Sequence, residues 1–130
     1  MKCLVVEDEF ITRTMLQKYL SQFGEVHVAA NGREATEAVH MAHSGKAPYD
    51  LITLDVMMPE MNGQETLKSI RDLEAFFEVI PSRGAKIIMI TTLGDGKSIM
   101  AAFKGQCDGY IVKPIDLKKL EKHLTDFSLI

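Results

Sequence analysis

The chain has 130 residues, 46% of them hydrophobic and 25% charged, with a net charge of −3. That length suggests one domain, 1–130, able to bury about two thirds of its surface without a disulfide or structural metal. The composition argues against disorder, no apolar run is long enough to cross a membrane, and the mildly acidic balance gives no reason to expect direct nucleic-acid binding.

Taken in chain order, short apolar runs alternate with helical patterns. Cys3–Val6 reads as a strand. Ile11, Met15, Leu16, Tyr19, Leu20 and Phe23 then keep three-to-four spacing up to a stop at Gly24. Val26–Ala30 is a second strand, and Asn31 followed by Glu34 resembles a helix N-cap with an acid at N3. Ala35, Ala38, Val39 and Ala42 form that helix's apolar stripe. Leu51–Leu54 is a third strand, and Leu67, Ile70, Leu73 and Phe77 mark a third helix. Lys86–Thr91 is a fourth strand, and Ile99, Ala102 and Phe103 mark a short fourth helix. Tyr110–Val112 is a fifth strand, and Asp116 caps a fifth helix with Leu117, Leu120, Leu124 and Phe127 inside. The strands are nearly all apolar and do not alternate, the pattern of parallel strands covered on both faces.

Five βα units joined by right-handed crossovers make a three-layer α/β sandwich. A closed eight-fold barrel would need about 250 residues. In an open parallel sheet, ligands bind beyond the carboxyl ends of the strands. There the first strand ends in Glu7-Asp8-Glu9, the third at Asp55, the fourth at Thr91-Thr92 and the fifth at Lys113-Pro114. Two unit charges 4 Å apart repel by about 4 kcal/mol at an effective dielectric of 20, so converging Glu7, Asp8 and Asp55 call for a cation. An open, oxygen-rich site suits Mg²⁺. Asp55 is the natural nucleophile, with the Thr91 hydroxyl and Lys113 charge placed to hold an oxyanion. Each residue alone has a plainer reading: Glu7 and Asp8 as solvated acids or caps, Asp55 as a turn residue before Pro59, Thr91 as a strand-end hydroxyl, Lys113 as a surface lysine.

The segments LVVEDE (4–9), LITLDVMMPEMNG (51–63), IIMITT (87–92) and GYIVKPI (109–115) resemble the receiver domain of two-component response regulators. The resemblance covers essentially the whole chain. It implies a flavodoxin-like (βα)5 sandwich with parallel strand order 2-1-3-4-5. It implies Asp55 as phosphoacceptor, and Glu7 and Asp8 holding Mg²⁺ with Asp55 and the Met57 backbone carbonyl. Thr91 matches the switch hydroxyl, Lys113 the phosphate-pairing lysine and Tyr110 the switch aromatic, and the Lys113–Pro114 bond matches one that is usually cis. The implied partners are a histidine kinase or phosphotransfer protein as donor and a protein target docking on the helix 4, strand 5 and helix 5 face. The connection after Leu73 (EAFFEVIPSRGAK) is longer than is usual in the family.

Two rival readings draw on the same residues. A phosphoaspartyl hydrolase would share the nucleophile but needs a second acid two residues on, where Met57 stands. A flavodoxin-like electron carrier needs a phosphate-cradling loop where Glu7-Asp8-Glu9 would repel phosphate. A receiver cut from a larger regulator is a third possibility. With nothing after Phe127 to form an effector, output is expected through protein binding.

The remaining signals are weaker. The apolar run before the first acids, Cys3–Val6, is only four residues long, too short for a signal peptide, so a cytoplasmic location is expected. Cys3 and Cys107 read as reduced, buried thiols. His40 and His43 share a helix face and read as solvated. Residues 1–96 carry 9 bases and 14 acids, residues 97–130 carry 6 bases and 4 acids, and all six of those bases are lysines. That lysine excess reads plainly as a solvated face and more sharply as a docking surface for an acidic partner. Gly94 and Gly96 predict a mobile loop after the switch threonine. Met57 and Leu93 flank the site without polar groups. Met58 and Met61 read as packing near it, Met89 as strand core, and Met100 as exposed.

Overall fold

The structure is a computed structural model. It describes residues 1–58, 61–92, 104 and 106–130. The expected fourth helix with Ile99, Ala102 and Phe103, the glycines at 94 and 96, and Pro59, Leu93, Lys97 and Met100 lie outside the described residues.

Five parallel strands form one sheet: β1 (Lys2–Val6), β2 (Glu25–Ala29), β3 (Leu51–Asp55), β4 (Lys86–Thr91) and β5 (Gly109–Val112), in the order β2-β1-β3-β4-β5. This is the flavodoxin-like order that the resemblance implies. Alternate side chains of each strand face opposite layers. Leu4, Val6, Ile52, Leu54, Ile87 and Met89 pack under α2 (Gly32–Ser44) and α3 (Gly63–Phe76), through Val39, Leu67 and Ile70. Cys3, Val5, Leu51, Ile88, Ile90 and Ile111 pack under α1 (Phe10–Leu20) and the C-terminal helix (Leu117–Asp126), through Leu16, Leu20, Leu120 and Leu124. Each large aliphatic side chain fully buried in these layers stabilises the fold by about 1.5–3 kcal/mol.

Coverage on both faces holds for β1, β3 and β4 but not for β2, whose Glu25, His27 and Val28 are exposed. As an edge strand it packs incompletely, and it carries the polar residues that such an edge tolerates. Helix starts follow their caps. Asn31 accepts from Glu34 N, Asp116 accepts from Lys118 N, and Asn62 with Glu65 forms a reciprocal capping box. Both cysteines are free and buried.

The long connection after α3 is held by a polar cluster at the amino ends of β4 and β5. Arg71, only 16% exposed, donates to Glu74 Oε1 at 2.7 Å and to the Ala85 carbonyl at 2.9 Å. It also donates to the Gln106 carbonyl from Nε and Nη2, and to Asp108 Oδ2 at 3.0 Å. All five guanidinium donors are thereby used. Glu74 also accepts from Ala85 N at 2.7 Å, and a Cβ on Gly84 would come within 2.7 Å of its carboxylate oxygens, so a larger residue there would push against the Arg71–Glu74 pair.

Candidate functional site

The sheet order reverses between β1 and β3, where the chain first runs outward to β2 and then returns. In such a fold that crevice is where ligands bind. Glu7 and Asp8 follow β1, and Asp55 ends β3. One carboxylate oxygen from each of the three lies within 4.8 Å of the others. Glu7 is 1% and Asp55 3% exposed, whereas Asp8 is open to solvent. Glu9 does not join them. It caps α1, accepting from Thr12 N at 3.2 Å and from the Thr12 hydroxyl.

Lys113, just past β5, brings Nζ to 2.9 Å from Glu7 Oε1 and 3.6 Å from Asp55 Oδ2. With all the acids ionised, both Glu7 oxygens are buried without a hydrogen-bond donor, since the lysine contact lies outside hydrogen-bond geometry. A proton held on Asp55 supplies one. Burial first, and the Glu7 carboxylate second, push the Asp55 pKa up to about 8. Burial also opposes the charge on Glu7, but Asp55 and Lys113 outweigh it and hold Glu7 below the ordinary carboxylate range. A rim with surplus negative charge and buried oxygens lacking donors fits a hard divalent cation.

Local backbone features aim Asp55. Its Oδ1 accepts from Met57 N at 3.2 Å, and Val56 N bonds to the Ile90 carbonyl at 2.9 Å. The start of α3 lies against it, with Gly63 N bonded to the Val56 carbonyl at 3.0 Å. A Cβ at Gly63 would sit 2.4 Å from the Asp55 carbonyl oxygen, so only glycine permits this approach. Thr91 ends β4, is buried, and donates to the Thr92 carbonyl at the long distance of 3.5 Å. Lys113 N bonds to the Thr91 carbonyl at 2.7 Å, which ties the threonine and lysine ends together. The Lys113–Pro114 bond is cis.

The response regulator receiver domain matches residues 3–125. The chain belongs to that family.

This receiver domain is 36% identical over 126 residues to the chemotaxis protein CheY1 of Helicobacter pylori, covering 95% of this chain and 94% of that one. It is 35% identical over 124 residues to the probable transcriptional regulator ycf27 of Cyanophora paradoxa, covering 95% of this chain but 46% of that protein. The chain spans about half the length of several curated transcriptional regulators that it matches. Among solved structures, the receiver domain of the histidine kinase CKI1 from Arabidopsis thaliana, complexed with Mg2+ and BeF3-, superimposes with a TM-score of 0.83 at 27% identity, covering 98% of this chain and 89% of that one. Receiver domains are signalling domains of two-component systems. No helix among the described residues is long and apolar enough to cross a membrane.

Away from the acid rim, Tyr110 is exposed on β5 and lines a groove of about 490 Å³ with Lys119 and His123 of the C-terminal helix. Of the C-terminal lysines, Lys122 is paired with Asp126 at 2.8 Å. His40 and His43 are not simply solvated: both rings pack on Phe77, at centroid distances of 5.5 and 5.2 Å. Met58 and Met89 are buried, and Met57 is 64% exposed.

Sequence reasoning missed Arg13. Its Nη1 donates to the Glu7 carbonyl at 3.0 Å and reaches the Asp8 carbonyl at 3.4 Å. A signal for it existed: a cation near the start of a helix opposes the helix dipole and needs an acceptor nearby.

Proposed function

We propose that this receiver domain, residues 1–130, accepts a phosphoryl group on Asp55 from a histidine kinase or phosphotransfer protein. The observation that carries this reading is the convergence of Glu7, Asp8 and Asp55 within 4.8 Å beneath the Lys113 ammonium. An Asp55 oxygen attacks phosphorus, and the bond from phosphorus to the donor's imidazole nitrogen breaks. That nitrogen leaves with the electron pair and takes up a proton. Glu7, Asp8, Asp55 and the Met57 carbonyl would hold Mg²⁺, which when bound offsets charge on the phosphoryl oxygens. Lys113 and the Thr91 hydroxyl would supply a positive charge and a donor to those oxygens.

The domain assists its own phosphorylation and dephosphorylation and is not an enzyme acting on a separate substrate. Met57 stands where a phosphoaspartyl hydrolase would place its second acid, and its apolar side chain supplies no proton. Phosphate on Asp55 draws the Thr91 hydroxyl toward it and lets Tyr110 turn inward, biasing a two-state element. The downstream protein docks on the face that β5 presents with the C-terminal helix, in the cytoplasm, with no direct nucleic-acid contact.

Incubation with a small phosphodonor and Mg²⁺ should give an acid-labile phosphate on the wild type. EDTA and Asp55→Asn should each abolish it. Undiminished labelling of Asp55→Asn would overturn the assignment.

A further inference from the structure

We propose that Arg13 is a positioning residue of the acid rim and that it sets the rim's affinity for a divalent cation. The inference rests on the cation-binding reading of Glu7, Asp8 and Asp55.

Consecutive side chains on a strand point to opposite faces. Glu7 and Asp8 can therefore share one site only if the chain leaves strand geometry between them. The β1 ladder ends with Val6 paired to Ala29 and Leu54. Glu7 N still bonds to the Ala29 carbonyl at 3.0 Å. The carbonyls of Glu7 and Asp8 lie beyond the ladder, and Arg13 Nη1 meets both, at 3.0 and 3.4 Å. A single donor within reach of two successive carbonyls holds them on the same side of the chain. The turn that does so also brings the two carboxylates together.

The arginine is itself held in place. It is the fourth residue of α1, one turn above the rim, and its guanidinium lies 5.6 Å from the centroid of the Phe10 ring. Glu9 already caps the helix, so α1 does not need Arg13 to begin. What Arg13 adds is control of the backbone between two acids, through their carbonyls rather than through its charge, which by itself would oppose a cation. Residues that orient metal ligands in this way typically change affinity by about 10–100-fold when removed.

The test is Mg²⁺ binding by titration calorimetry, with unfolding in EDTA measured alongside. Wild type and Asp8→Asn examine the underlying reading: the wild type should bind and Asp8→Asn should bind far more weakly. If the wild type fails to bind at millimolar Mg²⁺, the cation-binding reading falls and this inference with it. Given wild-type binding, Arg13→Met should weaken affinity about tenfold or more. Arg13→Lys, which keeps the charge but loses the planar fork, should recover only part of that loss. Arg33→Met removes the same charge from an exposed position on α2 and should change affinity less than twofold. Amide exchange at residues 8–10 should quicken in Arg13→Met and Arg13→Lys, even if one variant is too unstable for calorimetry. An Arg13→Met affinity within twofold of wild type, a full rescue by lysine, an equal loss in Arg33→Met, or unchanged exchange at residues 8–10 would each overturn the proposal.

Discussion

Lys113 is nearer to Glu7 than to Asp55, 2.9 Å against 3.6 Å, so its single charge is divided unequally between two buried acids. Glu7 remains ionised beside it. Asp55 takes the remainder of an attraction too weak to offset burial and the neighbouring carboxylate, and its pKa is pushed up to about 8. The residue best placed to attack phosphorus is also the one most prone to hold a proton when no cation is present.

A pH dependence follows. A carboxyl whose folded pKa lies above its unfolded value stabilises the fold at low pH and loses that contribution as pH rises. Cation-free protein should therefore lose stability between about pH 4 and pH 8, by no more than about 1.4 kcal/mol per pH unit for this one group. Asp55→Asn should flatten that portion of the slope. Mg²⁺ binding near neutral pH should release protons, detected by calorimetry in buffers of differing ionisation enthalpy. Identical slopes for wild type and Asp55→Asn in EDTA would show that Asp55 does not titrate as described.

Removing the lysine should expose the underlying conflict. Lys113→Met leaves Glu7 buried beside Asp55 with no cation. The expected loss is about 1–3 kcal/mol in urea unfolding with EDTA, the usual penalty for a buried polar group left without its partner. Saturating Mg²⁺ should shrink the difference from wild type, because bound metal supplies the missing positive charge.

At the opposite end of the sheet, Arg71→Met should be more damaging. It strands Glu74, 8% exposed, and unties Gln106 and Asp108 from α3. A buried charge left without its partner destabilises by about 3–5 kcal/mol. Arg71→Met with Glu74→Leu should recover part of that loss in chemical denaturation. A double variant no more stable than the single one would mean that the backbone carbonyls, not Glu74, dominate.

The lifetime of phosphate on Asp55 should depend on Met57. Its exposed side chain lies two residues from the acceptor and offers no group to orient an attacking water. One added hydrogen bond of about 1 kcal/mol to that water would speed hydrolysis several-fold. Met57→Asn should accordingly decay several-fold faster in Mg²⁺, measured as loss of acid-labile phosphate. An unchanged decay rate would show that this position does not govern water access.

Output should depend on charge and on the Thr91 hydroxyl. Reversing Lys119 and Lys122 to glutamate should slow association with an acidic partner, most at low salt, in surface-binding kinetics. Thr91→Ala should still be phosphorylated while its partner affinity responds less to phosphate. A wild-type response in Thr91→Ala would break the proposed coupling.

The acid rim was legible because Glu7, Asp8, Asp55, Thr91 and Lys113 each follow an apolar run, and parallel strands deliver their carboxyl ends to one side. The strands were legible for the same reason, although β2 was read as covered. Its exposure depends on its place at the sheet edge, which no local pattern records. The partners of Arg71 and Arg13 were not legible, although the position of Arg13 near a helix start hinted at a need for one, because what they bind is mostly backbone carbonyl oxygen, which every residue carries. The Gln106 carbonyl lies 35 positions from Arg71 in the chain. The packing of His40 and His43 on Phe77 was hidden likewise, since it joins α2 to the end of α3 across the sandwich surface.

With only 3% of Asp55 accessible, its carboxylate sits below the surrounding surface, while its neighbours Asp8 and Met57 are exposed. Reach therefore becomes a criterion of selection. A small phosphorylated molecule can descend to the acceptor freely. A phosphate lying flush on a macromolecular surface is held off by the rim. For the phosphoacceptor role proposed for Asp55, only a group projecting on a side chain of adequate length would bridge the gap, so the depth of one aspartate would screen donors before any specific contact with them forms.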